Sequence, residues 1–125
     1  PFHCTASGKI YMASLPAARR RAFLASLRLN GLTKNTHVNI DTLAAELTEI
    51  RRDGYSLDRE EFHDAMVAIA VPVTDPAGRF YAAVAVHGPT QRFSLGSALE
   101  SRSLLHAYAS RISRVLFASD DGDEA

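Results

Sequence analysis

A single cysteine, Cys4, among 125 residues excludes an internal disulfide, and one thiol cannot build a Cys-x-x-Cys metal pair. A cytoplasmic setting is the expectation. Net charge is missing too. Fourteen basic residues balance fourteen acidic ones, so the chain has no excess positive charge of the kind that dominates affinity for phosphate backbones. Direct nucleic-acid binding by this segment is not expected. No run of about 18 apolar residues occurs, because Arg, Asp, His or Ser interrupts each one. A membrane partner is therefore not expected. Pro1-Phe2-His3 is neither a signal peptide nor an initiator methionine, so the chain reads as one that starts inside a longer frame. Internal repeats and low-complexity tracts are absent, and 46% hydrophobic with 22% charged residues is ordinary globular composition. The chain makes one domain or part of one.

What is present begins with Thr5, where small polar residues precede apolar ones at helical spacing (Ile10 and Ala13, Tyr11 and Leu15). This predicts a helix opening in a glycine-containing turn. Pro16 ends it and suits the start of a second helix, 17–29, with Ala22, Phe23 and Leu27 inward and Arg19, Arg20 and Arg21 solvated before the stop at Asn30-Gly31. Asp41 is expected to cap a third helix, in which Leu43, Leu47 and Ile50 fall at i, i+4 and i+7. Its last turn carries Arg51 and Arg52, and Gly54 suits the left-handed stop. Residues 55–57 read as short and extended, and 58–64 as a polar loop. A hairpin follows: strands 66–73 and 79–87 around Asp75-Pro76-Ala77-Gly78, with Gly88-Pro89 ending the second. Residues 94–117 read as one amphipathic helix, with Ala98, Leu105, Tyr108, Ile112 and Val115 inward.

Side chains two apart on a strand share a face, so Val67, Ile69, Val71 and Val73 line one side of the hairpin, and Ala68, Ala70, Ala83 and Ala85 the other. One face is bulk and the other is space. The expected fold class is α+β, an antiparallel sheet flanked by helices. Two or three strands are too few to cover so many helices, so further strands are expected upstream of Pro1 or from another subunit. Residues 1–118 are expected to be the structured domain. Residues 119–125, with Asp120, Asp121, Asp123 and Glu124, read as an acidic flexible tail whose four charges leave the body at about +4.

Three stretches carry a resemblance: His3-Cys4-Thr5-Ala6-Ser7-Gly8-Lys9; Gly54 through Phe62; and Ile69-Ala70-Val71-Pro72-Val73 with the Asp-Pro-Ala-Gly turn and Ala85-Val86-His87-Gly88-Pro89. In this order and spacing, with the terminal helix after them, the chain resembles the C-terminal effector-binding domain of IclR-type bacterial transcriptional regulators. The resemblance implies a GAF-like sensor whose small-molecule pocket lies between the sheet and the Thr-Ala-Ser-Gly-Lys segment. It also implies control of promoter DNA through an N-terminal winged helix-turn-helix outside this sequence, further sheet strands before the first motif, and self-association as dimers or tetramers. No cofactor is implied.

Residue chemistry points to the same place. A turn entering a helix at Ala6-Ser7-Gly8 exposes backbone N–H groups at the positive end of the helix dipole, where a carboxylate fits, although Thr5 or Ser7 as a plain cap explains the same residues. Asp58 can accept from an effector hydroxyl or close its own Asx-turn. By resemblance, Asp58 matches a pocket position, and small-acid sensors of the family place a thiol and two hydroxyls where this chain has Ala68, Ala85 and His87. Those departures disfavour very small polar acids such as glyoxylate, because unpaired buried polar groups are costly. The expected effector is a carboxylate with an aromatic or longer aliphatic body over Ala68 and Ala85, held at Ala6 and Ser7, with His87 supplying a hydrogen bond or charge. His87 could equally be a satisfied strand-end histidine. Cys4 lacks a base and an orienting partner, so no catalytic site is expected, and the histidines show no tight metal-ligand spacing. The competing class is a GAF-like domain of an enzyme or signalling protein, with a regulatory or catalytic role.

Overall fold

A computed structural model describes residues 1–117; the acidic stretch expected to form a tail lies outside them. The chain runs through α1 (Ala6–Ser14), α2 (Ala17–Ser26), α3 (Ile40–Asp53), β1 (Ser56–Arg59), β2 (Met66–Thr74), β3 (Phe80–Pro89), α4 (Leu95–Glu100) and α5 (Arg102–Phe117). The strands form one antiparallel sheet in the order β1-β2-β3, giving the α+β architecture. The two sheet faces differ as alternation dictates. Leu57, Ile69, Val71 and Val73 pack against Ala98 of α4 and Leu105 and Ala109 of α5. Ala68 and Ala70 lie under α1, in a core with Ile10 and Met12 of that helix and Leu43, Leu47 and Ile50 of α3, which packs on α1. Short side chains on that face let α1 approach the sheet closely, and Ser56 Oγ donates to the Ala6 carbonyl where they meet.

Thr5 caps α1, its Oγ1 accepting from Gly8 N at 3.0 Å. At the other end of α1, Arg20 donates to the Ala13 and Leu15 carbonyls at 3.4 and 3.2 Å, and Arg51 to the same two at 3.0 Å each. Two cations therefore close the negative end of the helix, and Arg20 is not the purely solvated residue expected. Helix α2 stops at Ser26, three residues early. Its core residue is Leu24, and Ala22 is exposed. From Leu27 the backbone is extended, which lays both Leu27 and Leu29 against the core, a placement a continuing helix would deny to residues two apart.

Asn39 caps α3, not Asp41: the Asn39 side chain accepts from Asp41 N at 2.7 Å, while Asp41 occupies the first turn. Gly54 adopts φ +79°, the left-handed stop expected there. Asp58 and Arg59 belong to β1, because their backbones pair with Ala68 and Val67. Strand β3 runs on through Gly88 and Pro89, paired with Val67 and Met66; an edge strand tolerates the proline. The terminal helix is broken at Ser101, which hydrogen-bonds back to Ala98 O through its hydroxyl at 2.6 Å. The break sets Leu105 and Ala109 inward and leaves Tyr108, Ile112 and Val115 exposed, contrary to the expected stripe.

Candidate functional site

Sheet register assembles the site. Asp58 pairs with Ala68, and Ala68 with His87, so the three form a row across β1, β2 and β3 on the small-residue face. Neighbouring strands are about 4.8 Å apart, which separates the Asp58 and His87 backbones by about 10 Å with only a methyl between them. The next row repeats the pattern with Ser56, Ala70 and Ala85. Over this floor stands the first turn of α1. Between them is a cavity of about 440 Å3, bordered by Ala6, Ser7, Asp58, Ala68, Ala85 and His87. All six residues singled out from the sequence thus meet at one recess.

The donors at its helical edge are open. Gly8 N donates to Thr5 Oγ1 and Lys9 N to Thr5 O, whereas the Ala6 and Ser7 amides have no acceptor among the described residues. Capping by Thr5 and an anion site at Ala6 and Ser7 are therefore compatible, since they use different amides. Aromatic rings do not fill the recess: Phe2, Tyr11, Phe23 and Phe80 stack on one another at centroid separations of 5.1 to 5.9 Å. Phe62, half exposed, forms a wall instead.

Asp58 does both things weighed for it. Its Oδ1 accepts from Glu61 N at 2.8 Å, closing the turn after β1, and the residue also borders the cavity. Burial raises its pKa, only partly opposed by amide hydrogen bonds from Glu61 and Phe62 and by the nearby Lys9 charge. Cys4 is fully buried, and desolvation raises its pKa, which disfavours the thiolate that a nucleophile requires.

Behind the site lies a buried charge network. Lys9, fully buried in α1, donates to Glu46 Oε2 at 2.6 Å, to Glu61 Oε1 and Oε2 at 2.8 and 2.9 Å, and to the Leu57 carbonyl. His37 Nε2 reaches Glu46 Oε1 at 2.6 Å. Burial alone would raise Glu46, but the Lys9 charge and hydrogen bond, with His37 adding to them, hold it below the usual carboxylate range. His37, Glu46 and Glu61 also bring donor atoms within 4.8 Å of one another, as a metal site would. Lys9 Nζ already lies between the two carboxylates, so the protein supplies the cation itself.

Thr5, Phe62, His63, Met66 and Val67 border the cavity as well and were not singled out from the sequence. Phe62 offered a signal: it is the one large apolar side chain in the polar 58–64 segment.

A sheet with one face kept small, a helix opening over it and a recess between them define a ligand-sensing domain of GAF-like fold. Comparison with known proteins identifies the family. The model of the family described as "Bacterial transcriptional regulator IclR C-terminal" matches residues 1–114, and the chain belongs to that family. The probable transcriptional regulator SauR of Cupriavidus necator is 41% identical over 95 residues, which cover 76% of this chain and 38% of that protein. The regulator KdgR of Dickeya chrysanthemi is 33% identical over 113 residues, 90% of this chain and 37% of that one. Among solved structures, the Thermotoga maritima IclR superposes with a TM-score of 0.84 at 33% identity, covering 92% of this chain and 47% of that one. The inducer-binding domain of a PobR double mutant from Acinetobacter, in complex with 3-hydroxybenzoic acid, gives 0.87 at 27% identity, covering 92% and 66%. These relatives are named as transcriptional regulators, not enzymes. The chain spans less than half the length of the two curated relatives. Among the described residues no helix is long and apolar enough to cross a membrane.

Proposed function

We propose that residues 1–118 form the effector-binding domain of a cytoplasmic IclR-type regulator that senses a carboxylate-bearing metabolite with an aromatic or longer aliphatic body. The acid group sits at the Ala6 and Ser7 amides, the body over Ala68 and Ala85, and His87 contributes a hydrogen bond. Occupancy controls promoter binding by a helix-turn-helix elsewhere in the parent protein, which works as a dimer or tetramer.

One observation carries this reading: two amides without acceptors open onto a largely apolar recess whose floor is alanine. An anion there gains charge-assisted hydrogen bonds at the positive end of α1, and its body displaces water from methyl groups. The PobR double mutant, whose inducer-binding domain forms a complex with 3-hydroxybenzoic acid, supports an aromatic acid. Glyoxylate and pyruvate are too small and polar for this floor, since Ala68 and Ala85 offer their oxygens no partner and an unpaired buried polar group costs about 1–3 kcal/mol. Isothermal calorimetry with benzoate, phenylacetate, a six-carbon aliphatic acid, pyruvate and glyoxylate tests this. The aromatic or longer acids are expected to bind at least about tenfold more tightly than the two keto acids. Tightest binding by glyoxylate or pyruvate, with no heat from the aromatic acids, contradicts the proposal.

A further inference from the structure

The segment joining β1 to β2 adds a second recognition element. His63 borders the cavity, and its Nδ1 lies 2.8 Å from the Asp64 carbonyl oxygen. A carbonyl oxygen can only accept, so the ring proton sits on Nδ1. In the neutral imidazole Nε2 is then a lone-pair acceptor, with no partner among the described residues. The backbone that carries this ring is held in place. Glu60 and Ala65 both adopt left-handed φ, 57° and 62°, and Glu60 Oε1 accepts from Ala65 N at 2.9 Å, closing the segment into a compact loop. Thr33 and Thr36 donate hydroxyl protons to the Glu60 and Glu61 carbonyls, and Lys9 holds the Glu61 carboxylate from behind. The loop is therefore clamped on its inner side, while Phe62 and His63 face the cavity.

Asp58, the carboxylate at this recess, which Thr5, Ser7 and His87 also border, has no cation within salt-bridge distance among the described residues. The backbone donors of α1 thus face acceptors on β1 and the loop after it, with His87 of β3 beside them. A ligand that satisfies both must carry an acid at one position and a hydrogen-bond donor at another. A second carboxylate would meet the Asp58 carboxylate and the His63 lone pair, both repulsive.

We infer that His63 is a specificity-determining residue, and that the effector is a hydroxylated monocarboxylate whose hydroxyl donates to His63 Nε2. This rests on the proposed acid site at Ala6 and Ser7, and goes beyond it by naming the second group and the residue that reads it. The test is calorimetry on the 1–125 chain with benzoate, 3-hydroxybenzoate, 4-hydroxybenzoate and terephthalate. At least one hydroxybenzoate is expected to bind about tenfold more tightly than benzoate, and terephthalate more weakly than either. In His63→Phe, which keeps a ring but removes both nitrogens, the preference for the hydroxyl should fall to within about twofold, while benzoate still binds. His63→Gln, which restores an acceptor, should recover part of it. His63 is exposed, so both variants should retain the wild-type melting temperature. If benzoate binds and the hydroxyl confers no preference, or if His63→Phe keeps the preference intact, the inference fails while the acid site stands. Tighter binding of terephthalate also overturns it. Absence of binding by all four acids overturns this inference, and overturns the acid site as well only if the six-carbon aliphatic acid also fails to bind.

Discussion

Lys9→Met should destabilise the domain by about 3–5 kcal/mol, measured by urea unfolding at neutral pH, although it replaces a charge with an apolar group of similar length. Removing one partner of a buried ion pair strands the other charge, and here two carboxylates lose their cation at once. Lys9→Arg should not rescue it fully, since a planar fork cannot reproduce contacts to Glu46, both Glu61 oxygens and the Leu57 carbonyl. The loss should depend on pH with a definite sign. The Glu46 pKa is lowered in the folded state, so its contribution is present above the unfolded carboxylate range and vanishes as pH falls through the folded value. The destabilisation by Lys9→Met should therefore be largest near neutrality and shrink in acid. Asp58 acts in the opposite direction. Its folded pKa is raised, so protonation on acidification favours the folded state and partly offsets the loss from Glu46.

Gly8→Ala should destabilise by about 1–3 kcal/mol, where helix propensity alone forecasts a gain of about 1 kcal/mol. A Cβ at Gly8 would lie 2.6 Å from both the Phe2 Cα and its carbonyl oxygen, and 2.7 Å from Thr5 Oγ1. The obstacle is mostly backbone, and it cannot be relieved by a rotamer change. Thr5 Oγ1 ties that backbone in place by donating to the Pro1 carbonyl while it caps Gly8. Relief would require moving the first turn of α1, so ligand affinity should fall together with stability. Gly96→Ala in α4 is the matched control. Its nearest neighbour is Ser94 Oγ at 3.6 Å, an ordinary contact, so that change should be neutral or stabilising by up to about 1 kcal/mol. Parallel thermal melts of the two variants separate close packing from propensity.

The sequence was most legible where a signal was local. The i, i+4, i+7 spacing of Leu43, Leu47 and Ile50, the Asp-Pro-Ala-Gly turn and the large-small alternation along β2 each translate directly into the observed helix, hairpin and two-faced sheet. The six singled-out site residues converge because four of them sit on strand positions of one parity and two open a helix. Local reading failed where tertiary contacts decide. The end of α2 depends on Leu29 reaching the core, and the inward stripe of α5 on the break at Ser101. Asn39, two residues before Asp41, takes the cap instead. The 60–65 loop was opaque because its left-handed residues are Glu60 and Ala65, with no glycine to mark them. Lys9 stood in plain view as part of a motif, but nothing in its neighbours reveals that Glu46 and Glu61, 37 and 52 residues away, neutralise it in the interior.

The most direct measurement is amide chemical-shift perturbation on the isotopically labelled domain titrated with 3-hydroxybenzoate. A carboxylate accepting from the front of α1 should produce the largest downfield amide proton shifts at Ala6 and Ser7, with companion changes at Ala68, Ala85 and His87 and little along the outer face of α5. Saturable shifts clustered elsewhere, with Ala6 and Ser7 unmoved, would contradict the account.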